Sequence, residues 1–142
     1  MLWLRKSKKG FTLIELMVVV AIIGVLALLG LRLYTGQQDK AKNAIVKANA
    51  GTIQTLIQAE LADKAVTDLD ATTEVDPLIA SAGIYNPYTG SQQTTAFQGT
   101  AAPTSGSEGD VYVWLSTNVF NVNGWGAGGS TKVYDTDLTA RK

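Results

Sequence analysis

The sequence predicts an α+β protein: a long N-terminal helix, apolar in its first half and amphipathic in its second, packed on a small antiparallel β-sheet. Three observations lead there. The segment Gly10 to Leu31 is apolar apart from Glu15, and no charge occurs from Leu16 to Leu31. Behind it, Val46, Ala50, Ile53, Ile57 and Leu61 recur at spacings of four, three, four and four, with Leu56 beside them, a helical stripe. Near the other end, Val111-Tyr112-Val113-Trp114-Leu115 and Thr117-Asn118-Val119-Phe120-Asn121-Val122 are β-branched and aromatic, the composition of strands. A sheet laid across the stripe buries both apolar faces, and nothing else in the chain can cover either.

The apolar segment has the dimensions of a membrane span. Its 22 residues at helical rise reach about 33 Å, against a hydrocarbon core of roughly 30 Å. Before it stands the basic cluster Arg5-Lys6-Ser7-Lys8-Lys9, which holds that end in the cytoplasm and sends the remainder across the membrane. An ordinary secretory signal also has a basic start and an apolar middle, but it ends in a small-x-small cleavage site. Arg32-Leu33-Tyr34-Thr35-Gly36 is a poor one.

Glu15 is the anomaly. A carboxylate inside such a segment costs about 2.5 to 3.5 kcal/mol near the membrane centre on insertion scales. Glu15 either lies close enough to the interface to reach water or protonate, or it awaits a cation. A cut just before Phe11 supplies one, because the new α-amino group appears one helical turn away. That pair can close within one chain or between neighbouring rods, where it cancels two buried charges and fixes their stagger.

Lys9-Gly10-Phe11-Thr12-Leu13-Ile14-Glu15, after a basic leader and before an apolar run, closely resembles the processing site of type IV pilins and of the pseudopilins of type II secretion. The resemblance covers roughly residues 5 to 35. It implies that a prepilin peptidase cuts between Gly10 and Phe11, that Phe11 is N-methylated, and that Phe11, Thr12 and Glu15 serve docking of each subunit on a neighbour. The organisation expected is a cleaved leader at 1–10, a membrane and filament-core helix at 11–33, its amphipathic continuation at 34–62 and a periplasmic or extracellular head at 63–142.

Composition narrows the function further. The chain has 142 residues with twelve basic and twelve acidic side chains. The leader holds four of the basic ones and no acidic one, so residues 11–142 carry eight against twelve, a net charge of minus four. That mildly acidic balance argues against nucleic acid as the main partner. Cysteine and histidine are absent, which removes disulfides, thiol or serine nucleophiles paired with histidine, and the usual zinc ligands. No cofactor is called for. Many pilins of this resemblance close the C-terminal region with a cystine; this chain must hold it by packing or hydrogen bonds.

Gly24 and Gly30 each cost about 1 kcal/mol relative to alanine in an exposed helix, so the helix loosens most easily over Val25 to Leu29. Relatives commonly place a proline just past this interval, where Arg32 stands here. From Asp39 to Asp63 there is no proline, and an unbroken helix from Phe11 to Leu61 is about 75 Å long, more than a globular domain needs. Lys40, Lys42 and Lys47 form a basic patch that could touch nucleic acid, although such residues more often make a solvated face or pair with a neighbour's carboxylates. An acidic connection, Asp63 to Asp76, follows. A short helix is then expected, with Asp76 as N-cap, Pro77 in the first turn and Gly83 as the stop.

Asn86-Pro87-Tyr88-Thr89-Gly90 is a turn by composition, and Ser91 to Glu108 reads as a surface loop with a short edge strand around Phe97. Asn123 to Ser130 is expected as a flexible turn carrying Trp125, either a contact or a plug for a small core. Lys132 to Leu138 is expected as the third strand. Asp110, Asp135 and Asp137 are weak candidates for a calcium site; no defined loop spacing supports them, and solvated turn carboxylates are the commoner role.

The function expected is a major structural subunit of a type IV pilus, not an enzyme, that polymerises through its N-terminal helix. Its partners are copies of itself, the inner membrane before assembly, and the prepilin peptidase and assembly machinery. The alternative is a major pseudopilin of a type II secretion system. From other classes come a membrane-anchored binding module and a carboxylate enzyme, for which no site is visible.

Overall fold

The computed structural model describes residues 10–69, 71–134 and 137–141. The basic stretch up to Lys9, expected to be a leader, lies outside them, as do Asp70 and the metal candidate Asp135. Two compact units divide the chain at Gln37 and Gln38.

The first unit is the beginning of α1, the helix Leu13–Asp63. Every residue from Gly10 to Ala41 is exposed, including Leu13, Ile14, Leu16 and the run of valine, isoleucine and leucine behind them. The most apolar 18 residues reach a mean hydropathy of 2.8, and the helix is long and apolar enough to cross a membrane. Large side chains of this kind are not left in water over a whole surface, so this unit needs an apolar surrounding.

In the second unit the rest of α1 lies on the head. Val46, Ala50, Ile53, Ile57 and Leu61 are buried on one face, the stripe the sequence predicts. The helix runs through Gly51 unbroken, because burial of that stripe outweighs the propensity cost of one glycine, about 1 kcal/mol. Strands β1 (Val111–Ser116), β2 (Val119–Gly124) and β3 (Leu138–Ala140) form an antiparallel sheet in the order β1-β2-β3. Val111, Val113, Phe120, Val122 and Ala140 join the helix stripe in one core, together with Leu69, Val75, Ile79 and Ile84.

Polar side chains of α1 seal the edges of that core. Gln54 Nε2 donates to the Thr139 carbonyl at 2.8 Å, and Gln58 pairs with both the carbonyl and the N–H of Arg141 at 2.8 and 3.2 Å. These are backbone groups that an edge strand otherwise leaves open to another chain. Tyr134 Oη donates to the Lys47 carbonyl at 2.8 Å.

Several expectations are corrected. Thr117 and Asn118 are not strand: both have positive φ, 51° and 61°, and they form the two-residue turn between Ser116 and its partner Val119. Such a turn matches the twist of the strands it joins. Asn123 belongs to β2 and is fully buried, where it was expected in a flexible turn. The third strand begins at Leu138 instead of Lys132. Lys132 makes an isolated bridge to Trp125, lies over the Trp114 ring at 5.1 Å and pairs with Asp137 at 2.9 Å. Those contacts occupy the chain before it can pair with β2.

A turn of π-helix, Ala71–Val75, runs directly into α2, Asp76–Ser81. Val75 is already helical and buried, so Asp76 does not cap the helix. Its Oδ1 instead accepts from the N–H groups of Ala96 and Phe97, at 2.9 and 3.2 Å. Pro77 sits in the first turn of α2 as expected, and Gly83 follows its end with φ of 63°. Around Phe97 there is one parallel bridge, to Val113.

Candidate assembly site

The residues the sequence singles out at the N-terminus converge on the start of α1. Gly10, Phe11 and Thr12 precede it, and the first turn carries Glu15. Thr12 Oγ1 accepts the Glu15 N–H at 3.3 Å, while Glu15 Oε2 accepts both the Thr12 N–H and the Thr12 hydroxyl at 2.8 Å. This is a reciprocal capping box, in which a threonine and a glutamate three residues later satisfy each other's backbone donors. The Thr12-x-x-Glu15 spacing is the signal in the sequence that could have revealed this box, which the reading of Glu15 as a charge anomaly missed.

The box fixes what Glu15 can do. Oε2 is held by its own chain, and a carboxylate at the positive end of a helix is favourably placed. Oε1 has no partner among the described residues and lies among exposed apolar side chains, with Phe11 85% exposed. Through Oε1 the site can still accept cationic donors at the tip of an apolar rod.

Gly24 and Gly30 lie within α1 with no break in the helix. A Cβ added at either would meet nothing within 4 Å, so packing within the chain does not explain them. The lysine patch is partly engaged with the head: Lys42 stands over the Tyr88 ring at 4.5 Å and Lys47 over Tyr134 at 5.5 Å.

Of the carboxylate candidates, Asp110 and Asp137 are described, and each is engaged by its own partners. Asp110 Oδ1 accepts from Asn86 Nδ2 at 2.7 Å, and Asp137 Oδ1 is held by Lys132 and by Asn123 Nδ2. Among the described residues no group of three acidic or otherwise metal-ligating side chains comes together. Asp110 belongs instead to a network centred on buried Asn86, whose Oδ1 accepts from the N–H groups of Tyr88 and Thr89 and whose Nδ2 also donates to the Glu108 carbonyl. That network and the Gln93 side chain, bonded to both backbone groups of Val111, hold the loop without a disulfide. Trp125 is buried, as a plug would be, and its Nε1 has no partner among the described residues.

Comparison with known proteins agrees with this geometry. The family described as the prokaryotic N-terminal methylation motif matches residues 5–31. The fimbrial protein EcpB of Eikenella corrodens is 42% identical over 64 residues, 45% of this chain and 40% of that one. A probable minor fimbrial protein of Dichelobacter nodosus is 38% identical over 79 residues, 56% of this chain and 50% of that one. The type IV major fimbrial protein FimA of the same organism is 40% identical over 60 residues, 42% of this chain and 38% of that one. The chain thus spans half or less of the length of these relatives. No solved structure matches it. The chain thus carries the prokaryotic N-terminal methylation motif, has an exposed apolar helix behind a threonine-glutamate cap, and is similar over part of its length to type IV fimbrial proteins.

Proposed function

We propose that this chain is the major structural subunit of a type IV pilus. The precursor sits in the inner membrane by its apolar helix, a prepilin peptidase cuts between Gly10 and Phe11, and Phe11 becomes the N-methylated first residue. Residues 11–33 then form the filament core, residues 34–62 carry the helix into the head, and residues 63–142 are displayed outside the cell. The protein acts by assembly and turns over no substrate.

The observation that carries this reading is Glu15: one carboxylate oxygen is satisfied by Thr12 and the other has no partner among the described residues, on an exposed apolar helix. The α-amino group of Phe11 in a neighbouring subunit is the cation that suits it. Apolar burial of the rods drives association, and because the acid of one copy meets the amine of the next, the contact is heterologous and generates an open filament. Gly24 and Gly30 give the rod a point at which to loosen as it leaves the bilayer.

The test is Glu15→Ala in a cell that processes and assembles the chain. Fibres should disappear from electron micrographs while the protein stays in the membrane fraction. Mass spectrometry of fibres from the unaltered chain should find methylated Phe11 as the first residue. Normal fibres from Glu15→Ala, or an intact Met1 in surface material, would overturn the proposal.

A further inference from the structure

Between Gly10 and Asp39 the chain has two charged residues, Glu15 and Arg32. Neither forms an ion pair among the described residues. Both belong to the exposed N-terminal unit. They are 17 residues apart, about 25 Å along a helix. In a bilayer that separation puts both near the two interfaces, where headgroups and water satisfy them. In a fibre core of packed apolar rods that solvation is gone, and each needs a counter-charge.

We propose that Arg32 is a register lock between copies of this chain. In the assembled fibre its guanidinium pairs with Glu15 of a copy displaced by about 25 Å along the axis, the span between the two residues on one rod. This rests on the fibre reading above. The second copy is the occupant because its own surface carries the complementary charge at the matching height. Glu15 Oε2 is held within its chain by Thr12, while Oε1 has two lone pairs, enough for a neighbour's amine and a guanidinium donor together. Around the helix the two positions are roughly 100° apart. The acid and the base of one rod therefore face different neighbours, as an open heterologous array requires. A misregistered copy leaves two charges stranded among leucines and valines.

The absence of cysteine makes the register directly readable. Val18 and Thr35 each lie three residues beyond a member of the pair and repeat its offset. Within one chain they are about 25 Å apart, too far for a disulfide, which needs Cα atoms within about 7 Å. Mild oxidation of fibres from the Val18→Cys/Thr35→Cys chain should give a ladder of covalent oligomers, and neither single variant should. Arg32→Gln should raise the chain concentration needed for assembly by roughly tenfold, one step of 1.4 kcal/mol, and Arg32→Lys should restore most of it. Fibres of the double-cysteine chain that give no ladder overturn the register lock and leave the pilus reading standing. If that chain makes no fibres, the decision falls to position 32, where equal assembly by Arg32→Gln and Arg32→Lys overturns the proposal. No fibres from the unaltered chain overturns both readings.

Discussion

Gly124 closes β2 where it passes α1. A Cβ built there would collide with Cγ1 of Val46, stand 3.1 Å from Cγ2 of Val133 and lie 3.5 Å from the Val46 carbonyl. Val46 is fully buried on the helix stripe, and a β-branched side chain in a helix has essentially one rotamer, so it cannot swing away. Gly124→Ala therefore forces helix and strand apart. Overpacking of this kind costs about 1 to 3 kcal/mol, of which the lower conformational entropy that alanine gives the unfolded chain would return at most about 1 kcal/mol. Val46→Ala alone removes two buried methyl groups and leaves a cavity, about 2 kcal/mol. Combined, the new methyl enters the space the old ones vacate. The double variant should then be less destabilised than the sum of the singles by about 1 to 2 kcal/mol. Urea unfolding of the full chain in detergent micelles, followed by fluorescence of buried Trp114 and Trp125, reads this as midpoint shifts near 1 M, given a slope of about 1 to 3 kcal/mol per molar. A neutral Gly124→Ala, or single effects that add within about 0.3 kcal/mol, would refute the close approach.

Three further outcomes are expected. Asn86→Ala removes the acceptor for two N–H groups and the donor to Glu108 and Asp110; leaving buried partners unsatisfied should cost about 3 kcal/mol and expose the loop of residues 86–110 to limited proteolysis. Thr117→Asn should stabilise the head by about 1 kcal/mol, because Thr117 holds φ of 51°, a conformation that β-branched residues resist and asparagine tolerates, and a raised thermal midpoint would show it. Burial, and then the charges of Asp39 and Glu108, hold the Tyr88 phenol above its ordinary value. Its contribution is fully present below the unfolded value of about 10 and is lost as pH rises through the higher folded one. Tyr88→Phe should therefore lose less stability than the native chain between pH 9 and 11, each compared by urea midpoint, although Tyr134, raised by burial, still titrates in both.

The helix stripe was legible because its five buried residues keep one period over four turns, and the hairpin strands because β-branched and aromatic residues gather there. Less legible were features set by partners distant in sequence. Asp76 carries every local mark of an N-cap, yet its carboxylate serves Ala96 and Phe97, twenty residues away. Asn86 reads as an ordinary turn residue, and its burial at the centre of a four-bond network appears only when Glu108 and Asp110 fold over it.

The sequence by itself determined the apolar rod and its one misplaced acid, because membrane spans are written in contiguous residues whose free energies are local. Tertiary structure decided how the head closes: where β3 begins, which glutamines of α1 cover its edge, and that Asp110 and Asp137 answer to amides and a lysine. Those choices depend on which backbone donors and acceptors are left over once the core is packed, and that remainder belongs to no single stretch of chain.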